Sequence, residues 1–303
     1  MKARPLDPFA ASLTLALCVL WGFNQVVVKI ALADVGPIAQ TGVRSAIGCV
    51  CVIAYAAATG RRIFRIDGTE AAGALAGLLF TAEFIALYES LRWTTAGRAT
   101  VFVFAAPFFV ALGAVFLLRD ERQRPIQWLG LALAFLGVAV GLAGRSPGGR
   151  MLGDALALLA AALWGATTIV IKATPLRRAD PTKVLLYQIG VATLIAPFAA
   201  VVLGEPLPAH LSAATLAALL WQGVAVVGLS YVAWFWLLGR YPAPQLSAFT
   251  FVTPLVGVFA GWLVFGETVT SDFAVAIALV VAGVALVNWP RRAVSPAVPP
   301  DPG

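Results

Sequence analysis

The amino-acid sequence predicts an all-α integral membrane protein, with ten transmembrane helices arranged as two inverted five-helix repeats. Three observations carry that expectation. The 303 residues are 61% hydrophobic and only 12% charged, with nine Trp and a mean hydropathy of +0.92, whereas ordinary soluble domains have about 25% charged residues. The apolar residues fall into runs close to the roughly 20 residues that carry a helix across a bilayer. Matched residues also recur between the two halves at nearly constant spacing.

In chain order the apolar runs cover 10–32, 37–59, 72–91, 98–118, 125–143, 152–174, 184–203, 213–238, 245–265 and 272–289. They are separated in turn by DVGP, the segment 61–68, RWTTAGR, RDERQRP, GRSPGG, PLRRADP, LGEPLP, GRYPAP and GETVTSD. These breakers gather the Pro, Gly and charge that end helices or resist burial in lipid. The first run follows Lys2 and Arg4 and ends near IALA, a small-x-small pattern. It is longer than the apolar stretch of about 7–15 residues in a signal peptide, and Lys29 stands just before the would-be cut. A retained first helix is expected. The tail after Trp289, PRRAVSPAVPPDPG, is Pro-rich and is expected to be disordered over 291–303.

Orientation follows from the placement of Lys and Arg. With the N-terminus inside, the inner segments hold fourteen: Lys2, Arg4, Arg61, Arg62, Arg65, Arg119, Arg122, Arg124, Arg177, Arg178, Lys183, Arg240, Arg291 and Arg292. The outer segments hold four, Arg92, Arg98, Arg145 and Arg150, while Lys29, Arg44 and Lys172 fall within spans. Both termini are therefore expected to be cytoplasmic. The formal charge of +7 marks this topology rather than nucleic-acid binding, which needs a clustered basic face. Cys18, Cys49 and Cys51 lie in apolar runs, where a thiol behaves as a small hydrophobe. His210, the only histidine, has no second ligand beside it, so neither a metal nor a cofactor is expected. No HExxH, Cys/His cluster or paired midplane acids suggest an intramembrane enzyme.

Trp21-Gly22 matches Trp164-Gly165 and Lys29 matches Lys172, each pair 143 residues apart. Pro37 and Pro181 are 144 apart, Leu91/Leu238, Ala96/Ala243 and Pro107/Pro254 are 147 apart, and Glu121/Glu267 and Gly137/Gly283 are 146 apart. An ordered, slowly drifting series of this kind indicates duplication, with halves at 1–146 and 147–290. Five spans per half is an odd number, so the second copy must lie upside down relative to the first. The basic RDERQR and its unbasic partner GETVTSD agree with that inversion. Inverted repeats are an architecture of alternating-access transporters.

The segments LWGFNQVVVKIAL, LYESLRWTTAGRATVFVFAAPFFVAL with FLLRDE behind it, and WLLGRYPAPQLSAFTFVTPLVGVFAGWLVFGETVT resemble the EamA-domain members of the drug/metabolite transporter superfamily. The resemblance spans roughly residues 10 to 290. It implies ten helices around a central cavity and secondary export of small metabolites, such as amino acids or amphipathic compounds, from the bacterial inner membrane. Proton coupling is the expected energy source. Uptake or uncoupled facilitation is the alternative, and an intramembrane enzyme a remote one.

Intramembrane polar and ionisable residues are functional candidates by default. Trp21, Gln25 and Lys29 share a helix face at i, i+4 and i+8, with Asn24 on its shoulder; Trp164, Thr168 and Lys172 repeat the stripe, with Thr167 beside it. Asn24 and Gln25 either bridge packed helices or line a cavity. Lys29 and Lys172 sit near helix ends, where a long stem lets the ammonium snorkel to the interface. Glu83, in LLFTAEFIALY, lies too deep for that. It is roughly 12 Å and Arg44 roughly 10 Å from the outer ends of their helices, so an Arg44–Glu83 pair is geometrically allowed. Glu83 is expected either to exchange a proton during transport, to bind a substrate ammonium, or to serve as half of a structural bridge. The aligned partners in the second half, Gln188 for Arg44 and Ser230 for Glu83, are neutral.

Glu89 and Arg92 form an i, i+3 pair, and Glu121 and Glu267 read as solvated loop residues. Pro107 and Pro254, at matched mid-span positions, are expected hinges or static kinks. Among the aromatic residues Trp21, Tyr88, Trp164, Tyr231, Trp234 and Trp236, the two Trp beside the polar stripe, Trp21 and Trp164, are the strongest candidates for lining a cavity. GALAG at Gly73, GVAVG at Gly137 and GVFAG at Gly257 signal close helix packing within one chain, with a homodimer through the fifth and tenth helices as a further option.

Overall fold

The computed structural model describes residues 7–117, 125–143, 150–206, 208, 210–238, 240–241, 246 and 248–287, and no strand occurs among them. Eight helices are long and apolar enough to cross a membrane: Pro8–Ala31, Pro37–Ala58, Glu70–Trp93, Ala96–Ala114, Pro125–Ala143, Met151–Ala173, Pro181–Val202 and Ala213–Trp234. Val252–Phe265 and Ser271–Gly283 are shorter apolar helices. The protein is thus a multi-pass, all-helical membrane protein. Glu121 and the segment 291–303 lie outside the described residues.

The elements are α1 (Pro8–Ala31), α2 (Pro37–Ala58), α3 (Glu70–Trp93), α4 (Ala96–Val103), α5 (Ala106–Leu117), α6 (Pro125–Ala143), α7 (Met151–Ala173), α8 (Pro181–Val202), α9 (Ala213–Leu220), a π-helical stretch Trp221–Ser230, α10 (Tyr231–Leu238), α11 (Val252–Phe265) and α12 (Ser271–Val287). Several start where the sequence supplies a proline and an acceptor. Pro8 follows Asp7, whose Oδ1 accepts from the Ala10 amide at 2.8 Å. Asp180 precedes Pro181 and accepts from the Thr182 amide at 2.8 Å. Proline is favoured there because its missing N–H would have no helical partner anyway. Helix α2 starts at Pro37 after Gly36, and its cap comes from far away: the Glu205 carboxylate accepts from the Ile38 amide at 3.1 Å and the Ala39 amide at 2.7 Å.

Helix pairs pack as α6 on α12, α3 on α7, α2 on α8, α3 on α8, α1 on α11, α5 on α7, α4 on α11, and α2 on the π stretch, with α1 also lying along α9 and the π stretch. Small residues set the closest approaches. Gly73 and Gly77 of α3 face Tyr187 and Val191 of α8, Gly137 of α6 faces Val280 of α12, and Gly257 of α11 faces Thr100 of α4. A methyl group at any of these positions would clash, so the small-residue faces are occupied within the chain. The buried core runs through Phe80, Phe84, Tyr88, Phe102, Leu185, Ile189 and Val227, whereas Leu194, Phe198, Leu229 and Phe259 point outward as a lipid-facing surface would require.

Pro107 does not kink a continuous helix. The span is interrupted after Val103, Phe104 and Ala105 form a turn, and Pro107 is the second residue of α5. Pro254 likewise is the third residue of α11, just after a short 3₁₀ turn at Ala248–Phe251. In a first turn the missing proline N–H leaves no helical bond unmade. Pro107 therefore starts the second piece of an interrupted span, whereas Pro254 lies in the first turn of a helix that the 3₁₀ turn leads into directly.

Candidate functional site

Polar residues of the first three helices, Asn24, Glu83 and Tyr88, gather around Arg44. It projects from α2 and is fully buried. Its Nη1 donates to the Tyr88 hydroxyl at 2.7 Å, and its guanidinium lies 3.7 Å from the centre of the Phe84 ring. These contacts arise because Phe80, Phe84 and Tyr88 follow one another at i, i+4 and i+8 on the face of α3 that meets α2; their rings pack with centroids 4.6 and 5.8 Å apart. Asn24 sits beside the Tyr88 hydroxyl. Tyr231 lies close to the guanidinium, outside the hydrogen-bond geometry that Tyr88 achieves.

Glu83 is 5% exposed and near enough to Arg44 to feel its charge. The sequence allowed an Arg44–Glu83 salt bridge, and the structure does not form one: Arg44 turns to the aromatic face and Tyr88 instead. Glu83 has no hydrogen bond or ion pair among the described residues. Other buried polar atoms of these helices also lack a protein hydrogen bond: Asn24 Oδ1, Gln25 Oε1, both amide atoms of Gln40 and of Gln222, Ser45 Oγ, and Nε and Nη2 of Arg44. Such groups need solvent or solute to satisfy them, because leaving each unmade costs about 1–3 kcal/mol.

The remaining sequence candidates divide. Trp21 joins the cluster's rim: its Nε1 donates to Ser230 Oγ at 2.8 Å, and its ring meets Tyr231 and Trp234 edge-on at 6.4 and 5.4 Å. Ser230 in turn donates to the Val226 carbonyl at 2.5 Å. The second stripe behaves differently. Trp164 is 36% exposed and packs on Phe104, Thr168 donates to the Trp164 carbonyl of its own helix at 3.0 Å, and the buried Thr167 donates to Leu163 at 2.9 Å. Gln188 is half-buried and turns back to the Val184 carbonyl at 3.4 Å. The two halves thus place unlike chemistry at matched positions.

Two further polar sites lie at the helix ends. Lys29 Nζ pairs with Glu267 at 2.8 Å. Glu267 is not simply solvated, since its Oε1 accepts from the Ala96 amide at 2.8 Å and its Oε2 from Gly97 at 3.0 Å, capping α4. Arg98, read from sequence as an outer-segment cation, is buried. It grips Asp154 of α7 side-on, Nε to Oδ1 at 3.0 Å and Nη2 to Oδ2 at 2.5 Å, while Nη2 also reaches the Gly141 carbonyl at 2.7 Å and Thr94 Oγ1 donates to Asp154 at 2.7 Å. Glu89 and Arg92 form the expected exposed pair at 3.3 Å. No group of three or more His, Cys, Asp or Glu able to hold a metal occurs among the described residues.

Sequence reasoning missed Gln40, Ser45 and Gln222. Gln40 was findable, since it lies one helical turn from Arg44 on the same face. Gln222 was the lone amide in WQGVAVVGL. Its backbone is π-helical, a geometry common at functional sites, which nothing local in the sequence announces.

Comparison with known proteins agrees with this architecture. The sequence model of the EamA-like transporter family matches residues 8–142 and again 151–289. The chain is 26% identical to the "Uncharacterized transporter YvbV" of Bacillus subtilis (strain 168), over 97% of this chain and 95% of that one. It is 28% identical to the "Probable amino-acid metabolite efflux pump" of Salmonella typhimurium, over 89% and 92%, and 24% identical to the "Uncharacterized inner membrane transporter YedA" of Escherichia coli (strain K12), over 95% and 93%. A crystal structure with 20% identity superposes with a TM-score of 0.65, covering 93% of this chain and 96% of the other, so the two share a fold. With both halves matched by the family model and the whole chain aligned to named transporters, this protein belongs to the EamA-like transporter family.

Proposed function

We propose that this protein is a proton-coupled secondary exporter of small metabolites, amino-acid-like or amphipathic, in the bacterial inner membrane. It works by alternating access between two inverted five-helix halves, with both termini cytoplasmic. The observation that carries the reading is Glu83, a deeply buried carboxylate without a protein partner, held beside the fully buried Arg44. An ionisable group kept at such cost inside a membrane is best explained by work it does in transport. The relatives named as efflux pumps support export.

Several features support the duplicated architecture. The family model fits twice, and the helix pairings map onto themselves when the halves are exchanged: α3 on α7 corresponds to the eighth span on α1, and α1 on α11 to the fourth span on α7. Hydrogen bonds recur as well. Thr94 donates to Asp154 and Tyr241 to Asp7, both at 2.7 Å, with donors and acceptors each offset by 147 residues. In this reading the Lys29–Glu267 latch holds one end of the pathway shut, because it ties α1 to the start of α4 through the segment between α11 and α12.

The test is flux from proteoliposomes under an imposed pH gradient, comparing the chain with Glu83→Gln. The variant is expected to fold normally and lose gradient-driven flux. Normal pH-driven flux in Glu83→Gln would remove Glu83 from the coupling. Flux in the unsubstituted protein that ignores the gradient would favour uncoupled facilitation, and accumulation against an outward gradient would favour uptake.

A further inference from the structure

Arg44 and Arg98 are the two fully or nearly fully buried arginines among the described residues, at 0% and 2% exposure. They differ in one respect. Arg98 offers the edge formed by Nε and Nη2 to Asp154, which occupies it side-on with one carboxylate oxygen per nitrogen. Arg44 presents the same edge; no carboxylate occupies it, neither Nε nor Nη2 makes a protein hydrogen bond of normal geometry, and the Tyr231 side chain stands beside the guanidinium. The rest of its guanidinium is already fixed, with Nη1 on Tyr88 and one face on Phe84. Glu83, the carboxylate nearest in charge, does not take the edge. A planar guanidinium fork matches a carboxylate through two parallel hydrogen bonds. A buried guanidinium left unpaired is strongly unfavourable.

Two buried amides lie on the elements around Arg44. Gln40 lies one turn from Arg44 on the same buried face of α2, and Gln222 comes from the π stretch that packs on that helix, where Gly223 abuts Ile47 and the Arg44 carbonyl. Both amides are fully buried with donor and acceptor unpartnered. Gln188, matched to Arg44 in the second half, turns back on its own helix, so the guanidinium is present once.

Resting on the transport reading above, we infer that the Nε/Nη2 edge of Arg44 is the docking point for a free carboxylate on the transported solute, making this a carrier of carboxylates. The amides of Gln40 and Gln222 supply neutral hydrogen bonds around it, and the unpartnered Glu83 faces any ammonium the solute carries. Zwitterionic amino acids satisfy both charges. Their carboxyl methyl esters keep the ammonium and lose the anion.

The test uses the full chain in nanodiscs, with two probes: a pool of the proteinogenic L-amino acids and the same pool as carboxyl methyl esters. Thermal stability is followed against probe concentration. The acids are expected to raise the melting temperature saturably and the esters not at all. Arg44→Gln should weaken the response to the acids about 100-fold, the usual consequence of truncating one partner of a buried charge pair. Arg44→Lys, which keeps the charge and guards against simple misfolding, should recover part of it. Equal stabilisation by acids and esters, an undiminished response in Arg44→Gln, or no response to the acids would each overturn the inference. Glu83→Gln separates the two proposals: acid-dependent stabilisation without pH-driven flux leaves the Arg44 assignment standing. Conversely, pH-driven export of a carboxylate-free solute leaves the transport reading standing and sinks this one.

Discussion

Replacing Asp154 by Ala should cost this protein about 3 kcal/mol of stability, and the structure says why. The Asp154 carboxylate takes Arg98 Nε at 3.0 Å, Arg98 Nη2 at 2.5 Å and Thr94 Oγ1 at 2.7 Å, with both charged side chains 3% exposed. These contacts join the start of α7 to α4 and to the end of α3. Removing the acid leaves Arg98 buried with the Gly141 carbonyl but without its counter-charge. Breaking a buried pair from one side costs about 3–5 kcal/mol. The lower end applies because Arg98 keeps a carbonyl partner and its ring contacts, at 5.5 Å to Phe102 and 5.0 Å to Phe273. About 3 kcal/mol corresponds to roughly two orders of magnitude in the folded-to-unfolded ratio. The assay is reversible SDS-titration unfolding in mixed micelles, followed by the fluorescence of the nine Trp. The double variant Arg98→Met/Asp154→Leu should recover to within about 1 kcal/mol of the parent, since two apolar groups leave no charge stranded. An Asp154→Ala loss below about 1 kcal/mol, or a double variant whose loss is the sum of the singles, would refute the reasoning.

Two further outcomes are expected. The Glu267 carboxylate holds the amides of Ala96 and Gly97 at 2.8 and 3.0 Å, one on each oxygen, and Glu267→Gln keeps a single acceptor oxygen, so it should release one of the two. Losing a hydrogen bond to a charged group is worth about 1.5–3 kcal/mol, so amide hydrogen exchange in the first turn of α4 should accelerate by roughly ten-fold or more; unchanged exchange would deny the latch. Asp34 accepts hydrogen bonds from Ser212 Oγ, Thr215 Oγ1 and the Ser212 amide, and these pull its carboxyl below the usual range, to about 2. A pKa lowered on folding adds stability that is fully present above the ordinary value of 3.8 and is lost as pH falls towards 2. The stability difference between the parent and Asp34→Asn, read from melting curves in detergent, should therefore shrink from pH 6 to pH 2, and a widening gap would contradict it.

How much of the site could be read beforehand depended on distance along the chain. The i, i+4 stripe around Trp21 and Gln25, the depth of Glu83 and the exposed Glu89–Arg92 pair follow from local helical geometry and hydropathy. The partner of Lys29 could not be read locally, because Glu267 is 238 residues away. The matched pairs Lys29/Lys172 and Glu121/Glu267 were the available hint that these charges belong together. Pro107 and Pro254 were expected at mid-span, and the structure places each in the first turn of a helical segment.

By itself the sequence determined that this is a membrane protein built from apolar helices, because transfer into lipid depends on composition over about 20 residues at a time. The family resemblance was readable there too, in motifs that lie contiguously along the chain. Only the tertiary structure decided which polar groups meet. Arg44 could have paired with Glu83, yet three aromatic residues one turn apart on α3 offered its guanidinium a face and a hydroxyl. Arg98 could have faced solvent, yet Asp154 lies within reach once α4 and α7 pack together. Side-chain hydrogen bonds act over about 3 Å, and the partners that close them here come from helices far apart in sequence.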